Sequence, residues 1–179
     1  MWQTAAMRIH LIRHGEVENP DHVVYANLAG FTLSDLGRSQ ALTTGRYLAE
    51  SPIAQIVTSP LERAVDTSAL LTAAIGDVPI AVDDRLTEWD LSTRWAGVRW
   101  EDLNQLFPGE LERYLADPYD LPFAPESLTE VAERVFAAVS AWTATATGDV
   151  VFVSHQDPVH AGRNRLTGAS LVDYHSEKP

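Results

Sequence analysis

The run Arg13-His14-Gly15-Glu16 holds a cluster of residue types that can do phosphate chemistry. A neutral imidazole can attack phosphorus when its second ring nitrogen is fixed by a hydrogen bond. A glycine beside it lets the backbone approach an anion closely. The guanidinium of Arg13 offers a planar fork of donors that matches phosphate oxygens. The run alone also fits a polar strand end in water. Three further positions bear on the choice. Arg63 falls in the first turn of a strongly signalled helix, where a cation is disfavoured by about 0.3–1 kcal/mol unless an anion sits nearby. His155, in Ser154-His155-Gln156-Asp157-Pro158, occupies a tight strand-to-helix turn whose amides and imidazole can bind phosphoryl oxygens. A leaving alkoxide also needs a proton from a carboxyl of raised pKa. Residue chemistry does not single out Glu88 for this among Asp83, Asp84 and Asp90.

These residues sit where short elements meet. Residues 8–12 are short, apolar and β-branched, the pattern of a buried strand, and the strand ends at Arg13-His14-Gly15. Ser34 is an N-cap for a helix to about residue 50, with Leu36, Ala41, Leu42, Tyr47 and Leu48 as its inner face. Residues 55–58 and 79–82 are further strands. Between them, Ser59-Pro60-Leu61-Glu62 predicts a helix capped by Ser59 and opened by Pro60. Ser127 and Glu130 form a second capping box, for a helix to about residue 145. Residues 149–153 are the most apolar strand and should be central. Pro158 opens the helix that follows.

The alternation predicts an α/β fold, a three-layer α/β/α sandwich with a mostly parallel central sheet. Ligands in such sheets bind outside the carboxyl ends of the strands, where His14 and His155 both fall. The 179 residues suit one domain, and the irregular stretch 84–126 reads as a lid or insertion within it. Its aromatics, Trp89, Trp95, Trp100, Phe107, Tyr114, Tyr119 and Phe123, suit a small core of the lid's own more than a substrate wall.

Composition narrows the partners. A formal net charge of −12 repels nucleic acid and anionic membrane surfaces, so neither is expected as a partner. An anionic substrate then requires a local cluster of the few arginines. No apolar run approaches the roughly 18 residues of a membrane span, and the first residues lack the pattern of a signal peptide. Met7 is a possible alternative start. The absence of cysteine removes disulfides, thiol nucleophiles and cysteine metal sites, and fits a cytoplasmic protein. His160, five residues after His155, does not share a helix face with it for metal binding. His10, His22 and His175 read as a sheet histidine, a loop histidine and a tail histidine.

Taken in order, the motifs resemble the histidine phosphatase superfamily, the phosphoglycerate mutase-like group. Leu11-Ile12-Arg13-His14-Gly15-Glu16 resembles its signature. Residues 31–41 resemble its Leu-Thr, Gly, Gln-Ala block, and Ser59-Pro60-Leu61-Glu62-Arg63-Ala64 the block whose arginine binds phosphate. Leu86-Thr87-Glu88, followed by residues 95–101, resembles the acid block, and Val153-Ser154-His155 the last block. Together these span residues 8–168.

The resemblance implies that His14 is the nucleophile and forms a phosphohistidine. It implies that Arg13, Arg63 and His155 bind the phosphoryl group and that Glu88 is the general acid. No metal ion or organic cofactor is implied. Three departures stand out. Pro20 occupies the place where the family often has Asn, and Asn19, one position earlier, is the candidate substitute. Gln156 follows the final histidine where Gly is usual, placing a bulkier side chain on the pocket floor. The chain after residue 173 leaves little room for the family's closing strand. The expected activity is hydrolysis of a small phosphorylated substrate. The alternatives are mutase-type phosphoryl transfer, disfavoured by the short region after the acid block, and a phospho-ligand-binding regulator with weak turnover.

Overall fold

The computed structural model describes residues 7–172 and Tyr174. His175 and the place of any closing strand beyond residue 174 lie outside the described residues. Four strands form one parallel sheet: β1 (Ile9–Arg13), β2 (Ile53–Thr58), β3 (Ile80–Val82) and β4 (Asp149–Ser154). Their order is β1-β4-β2-β3, all parallel. The expected central strand is β4. All six of its residues are buried, as a strand covered on both faces requires.

Alternation along β4 divides the core into two halves. Val150 and Phe152 join Val57 and Leu86 under α6 (Leu128–Thr143), through Val135, Ala138 and Val139. Val151 and Val153 join Ile56 on the opposite face. There they meet Leu48 of α1 (Asp35–Leu48) and Ala64 and Leu71 of α2 (Glu62–Ile75). These are the three expected layers.

Two helix starts differ from expectation. The α2 helix begins at Glu62, with Leu61 as an uncapped N-cap in extended conformation. Ser59 is not its cap, because its hydroxyl is engaged by His155 (2.8 Å). The last helix, α7 (Gln156–Thr167), starts two residues before Pro158. Pro158 fits inside the first turn because the N–H it lacks has no intrahelical partner there. The caps at Ser34 and Ser127 form as expected, the latter with a complete capping box.

The inner face of α1 also differs. Leu36 and Tyr47 are exposed, and the buried face is Gly37, Ala41, Gly45 and Leu48. This stripe of small residues lets α1 approach its neighbours closely. A Cβ on Gly45 would lie 2.7 Å from Ala74 Cβ of α2. A Cβ on Gly37 would lie 2.1 Å from the Glu16 carbonyl oxygen.

Residues 84–126 carry only short helices: a 3-10 turn at Asp84–Leu86, α3 (Leu91–Arg94), a second 3-10 turn at Trp100–Asp102, α4 (Leu103–Leu106) and α5 (Glu110–Ala116). Trp89, Trp95, Leu103 and Leu111 are buried with Leu128, Val131 and Ala132 of α6 and Ala161 of α7. Phe107, Tyr114 and Phe123 pack against them, so most of these aromatics form a core, as expected. Trp100 and Tyr119 stay largely exposed. Residues 22–24 run antiparallel to 97–100. The pairing includes Val24 N–H to the Val98 carbonyl (2.8 Å) and Trp100 N–H to the His22 carbonyl (3.0 Å).

Candidate active site

Strand register brings the two histidines together. Arg13 of β1 pairs with Ser154 of β4, so the next residue on each strand leaves the same edge side by side. The His14 N–H bonds the Ser154 carbonyl (3.0 Å), and the two imidazole centroids lie 5.1 Å apart. Ser59 leaves the end of β2 in the same way, its N–H on the Val153 carbonyl. Its side chain therefore lies beside His155.

His14 is 5% exposed, and its Nδ1 lies 2.7 Å from the Gly15 carbonyl oxygen. A carbonyl only accepts, so Nδ1 carries the proton and Nε2 presents its lone pair. Burial holds the imidazole neutral and lowers its pKa to about 3; Arg63 and Arg13 push the same way, while the Gly15 bond opposes. Arg63 Nε donates to His14 Nε2 (3.2 Å) and its terminal nitrogen to the Ala26 carbonyl (2.8 Å). The Tyr25 ring stacks on this guanidinium at 4.7 Å. Arg63 is 1% exposed, so its guanidinium is committed to this point of the molecule. Thr67, one turn later on α2, donates to the Arg63 carbonyl and accepts from Gly15 N–H (3.1 Å), tying the His14 loop to the helix.

His155 is completely buried. Burial lowers its pKa well below the ordinary value, and Arg63 and His14 add to the effect. Its Nε2 meets the Ser59 hydroxyl. That hydroxyl accepts from Leu61 N–H (3.3 Å) and keeps one hydrogen and a second lone pair to offer Nε2. In the tautomer whose Nε2 accepts from that hydroxyl, the ring proton sits on Nδ1, which is buried with no hydrogen-bond partner and lies 3.9 Å from Glu88 Oε2. An unpaired buried donor beside a nucleophile is a ready contact for a bound anion.

Glu88 has the character that residue chemistry alone could not assign. Its side chain is 15% exposed at the pocket wall. Desolvation raises its pKa to about 7, and the Asp157 carboxylate adds to the rise; Trp89 N–H, Arg63 and Arg13 pull the other way. Its segment is held from behind. Arg134 of α6 donates to the carbonyls of Arg85, Thr87 and Glu88 while paired with Glu126. The Ser154 hydroxyl donates to the Leu86 carbonyl (2.6 Å).

A cavity of about 600 Å³ opens over these groups. Arg13, His14, Glu88, Asn19 and Gln156 all line it, and Arg63 lies beneath His14. Both ends of the Asn19 carboxamide are tied to the Val23 backbone (2.9 and 3.1 Å), so this side chain shapes the wall while one Nδ2 hydrogen remains available. His22 and Ala26 in this loop hold φ of 51° and 42°, a region that non-glycine residues seldom occupy. Tyr25, Ser59, Thr67, Arg134 and Asp157 were missed from sequence. Only Thr67, four residues after Arg63, carried a positional signal.

The family model of the histidine phosphatase superfamily (branch 1) matches residues 9–178. The chain belongs to this superfamily. An uncharacterized protein of Mycobacterium tuberculosis is 35% identical over 173 residues, covering 92% of this chain and 80% of its own. A glucosyl-3-phosphoglycerate phosphatase of Mycolicibacterium vanbaalenii is 33% identical over 127 residues, 71% of this chain and 56% of that protein. The solved structure of a mycobacterial glucosyl-3-phosphoglycerate phosphatase in complex with VO3 superposes with a TM-score of 0.82 at 28% identity, covering 96% of this chain and 87% of that one. Bacillus stearothermophilus YhfR shares the fold at a TM-score of 0.84 and 24% identity, covering 96% of this chain and 85% of its own. This histidine phosphatase is a phosphomonoester hydrolase that works through a phosphohistidine. Among the described residues no helix is long and apolar enough to cross a membrane, and no three His, Cys, Asp or Glu side chains are grouped as metal ligands.

Proposed function

We propose that His14 Nε2 is the atom that takes the phosphoryl group. The observation that carries this is the bond from Nδ1 to the Gly15 carbonyl, which leaves the Nε2 lone pair of a neutral ring beside Arg63. A bound phosphoryl group takes over the Arg63 Nε hydrogen bond and receives further donors from Arg13 and from His155 Nδ1. The Nε2 lone pair then forms the N–P bond as the P–O bond to the alcohol breaks. Glu88, protonated through much of the neutral range, gives its proton to the departing oxygen. Its carboxylate next takes a proton from water as that water attacks phosphorus, which releases phosphate and restores the Nε2 lone pair. Charge stabilisation comes from two guanidiniums and the imidazole N–H, with no step assigned to a metal ion or cofactor. Asn19 and Gln156 border the same cavity and contact the substrate beyond its phosphate.

In this reading residues 84–126 are a lid within one domain, carrying Glu88 at its base and Trp100 at its rim, and the enzyme acts on small phosphate esters in the cytoplasm. The test is turnover of phenyl phosphate in the presence of a chelator. The native chain should release phosphate, and His14→Ala should not. Vanadate binding by a native chain without turnover would instead favour a phospho-ligand-binding regulator. With 3-phosphoglycerate as the substrate, formation of 2-phosphoglycerate without release of phosphate would favour a mutase.

A further inference from the structure

The charges lining the cavity are unevenly distributed. Its guanidiniums gather around His14: Arg13, exposed on the lining, and Arg63, buried and bonded to His14 Nε2. The rest of the lining carries two carboxylates, Asp157 and Glu101, beside the Glu88 carboxyl. Near the mouth, Glu101 is set against two neighbours on its own strap. His22 Nδ1 lies 3.2 Å from one of its oxygens and Arg99 Nε 3.7 Å from the other. All three are exposed and sit on the strap formed by residues 22–24 and 97–101. The same strap presents the Trp100 indole, 42% exposed, and Leu115 stands 54% exposed on the cavity lining.

From this arrangement we infer that the alcohol part of the substrate is uncharged and ring-bearing, an aromatic or sugar-like group laid against Trp100, and that a second anionic group on it is disfavoured. This deepens the proposed function and rests on the phosphoryl group binding at His14. With the phosphate held by Arg13 and Arg63, a carboxylate on the alcohol faces Glu101 and Asp157, and the strap's guanidinium, Arg99, is already set against Glu101. A flat neutral ring covers exposed indole surface at no charge cost, and aromatic or C–H faces stack favourably on it. The field of a chain with net charge −12 adds to the discrimination.

Calorimetric binding of two non-hydrolysable ligands, phenylphosphonate and 4-carboxyphenylphosphonate, tests this without turnover. The carboxylated ligand should bind roughly tenfold more weakly at low salt, the scale of a like-charge contact near a protein surface. The gap should narrow severalfold at about 1 M salt, where screening is strong. It should also narrow in Glu101→Gln and more in Glu101→Lys. Equal or tighter binding of the carboxylated ligand overturns the inference, as does a gap insensitive to both salt and Glu101, or failure of both ligands to bind. Turnover of phenyl phosphate judges the His14 reading separately, because an enzyme that hydrolyses phenyl phosphate yet prefers the carboxylated ligand retains the first and loses the second.

Discussion

Two carboxyl and imidazole environments, set a few ångströms apart, divide the chemistry. His14 is neutral because burial excludes its charged form, and Glu88 is held protonated for the same reason with the opposite consequence. In the proposed mechanism Glu88 acts first as an acid, so hydrolysis of esters with poor leaving groups should fall as pH rises through about 7. His14 remains a free base throughout that range. Glu88→Gln should lower kcat/KM by about 10²–10⁴ for such esters and far less for p-nitrophenyl phosphate, whose leaving group needs no proton. Steady-state kinetics across a series of aryl phosphates reads this directly, and a uniform loss would remove Glu88 from the role. Ser59 acts through His155. Ser59→Ala should lower kcat by about tenfold while changing the Glu88 limb of the pH profile little, and Ser59→Thr should recover most of the loss. Failure of the threonine variant to recover activity would show that the hydroxyl does not set the His155 tautomer.

At the scale of elements, the site depends on how closely backbone segments approach one another. The loop after β1 lies against the first turn of α1, where Gly15 and Gly37 leave no space for a side chain. A Cβ on either would meet backbone of the other segment, which cannot swing away as a flexible side chain can. Gly37→Ala should therefore cost about 2 kcal/mol or more of stability and also lower kcat, because relieving the overlap moves the loop that orients His14. Gly45→Ala, which crowds Ala74 on the far part of α1, should destabilise without changing kcat. Denaturant titration paired with kinetics separates the two effects. These contacts also explain what could be read beforehand. The strands, the capping boxes and the strand-end placement of His14 and His155 follow from local patterns of period, cap and apolar run. The buried face of α1 did not, because it is built from glycine and alanine, whose burial leaves no hydrophobic signature. Ser59 was misread because its cap-like sequence is overridden by a histidine 96 residues away. Arg134 and Tyr25 hold Glu88 and Arg63 through contacts that exist only once the sheet is assembled. Among the acids near residue 88, the Asp83 side chain is largely buried too but is taken up by Arg85 and Trp142, and what marks Glu88 is its place on the cavity wall beside His155, which exists only once β4 and α7 are packed.

The whole molecule carries the site at a cost in stability that should appear as a pH dependence. His14 has a pKa of about 3 when folded against about 6.5 unfolded. Between those values the unfolded chain binds the extra proton, so this group makes stability rise with pH. Glu88 works in reverse. It titrates near 7 when folded against about 4.5 unfolded, so between those values the folded chain binds more protons and stability falls as pH rises. Chemical denaturation at a series of pH values should show the acid slope flattened in His14→Asn and the loss toward neutral pH flattened in Glu88→Gln. Unchanged slopes in both variants would mean that neither group is desolvated as described. The net charge of −12 is compatible with an anionic substrate because the groups proposed to receive phosphate are gathered at one sheet edge, Arg13, His14 and His155 by strand register and Arg63 by α2.

The central claim is the covalent step at His14. Rapid quench of the native chain mixed with ³²P-labelled phenyl phosphate, followed by peptide mapping, measures it most directly. Acid-labile, base-stable label on the peptide containing His14, absent from His14→Ala, is the predicted result. Label on any other residue, or undiminished turnover by His14→Ala, would contradict it.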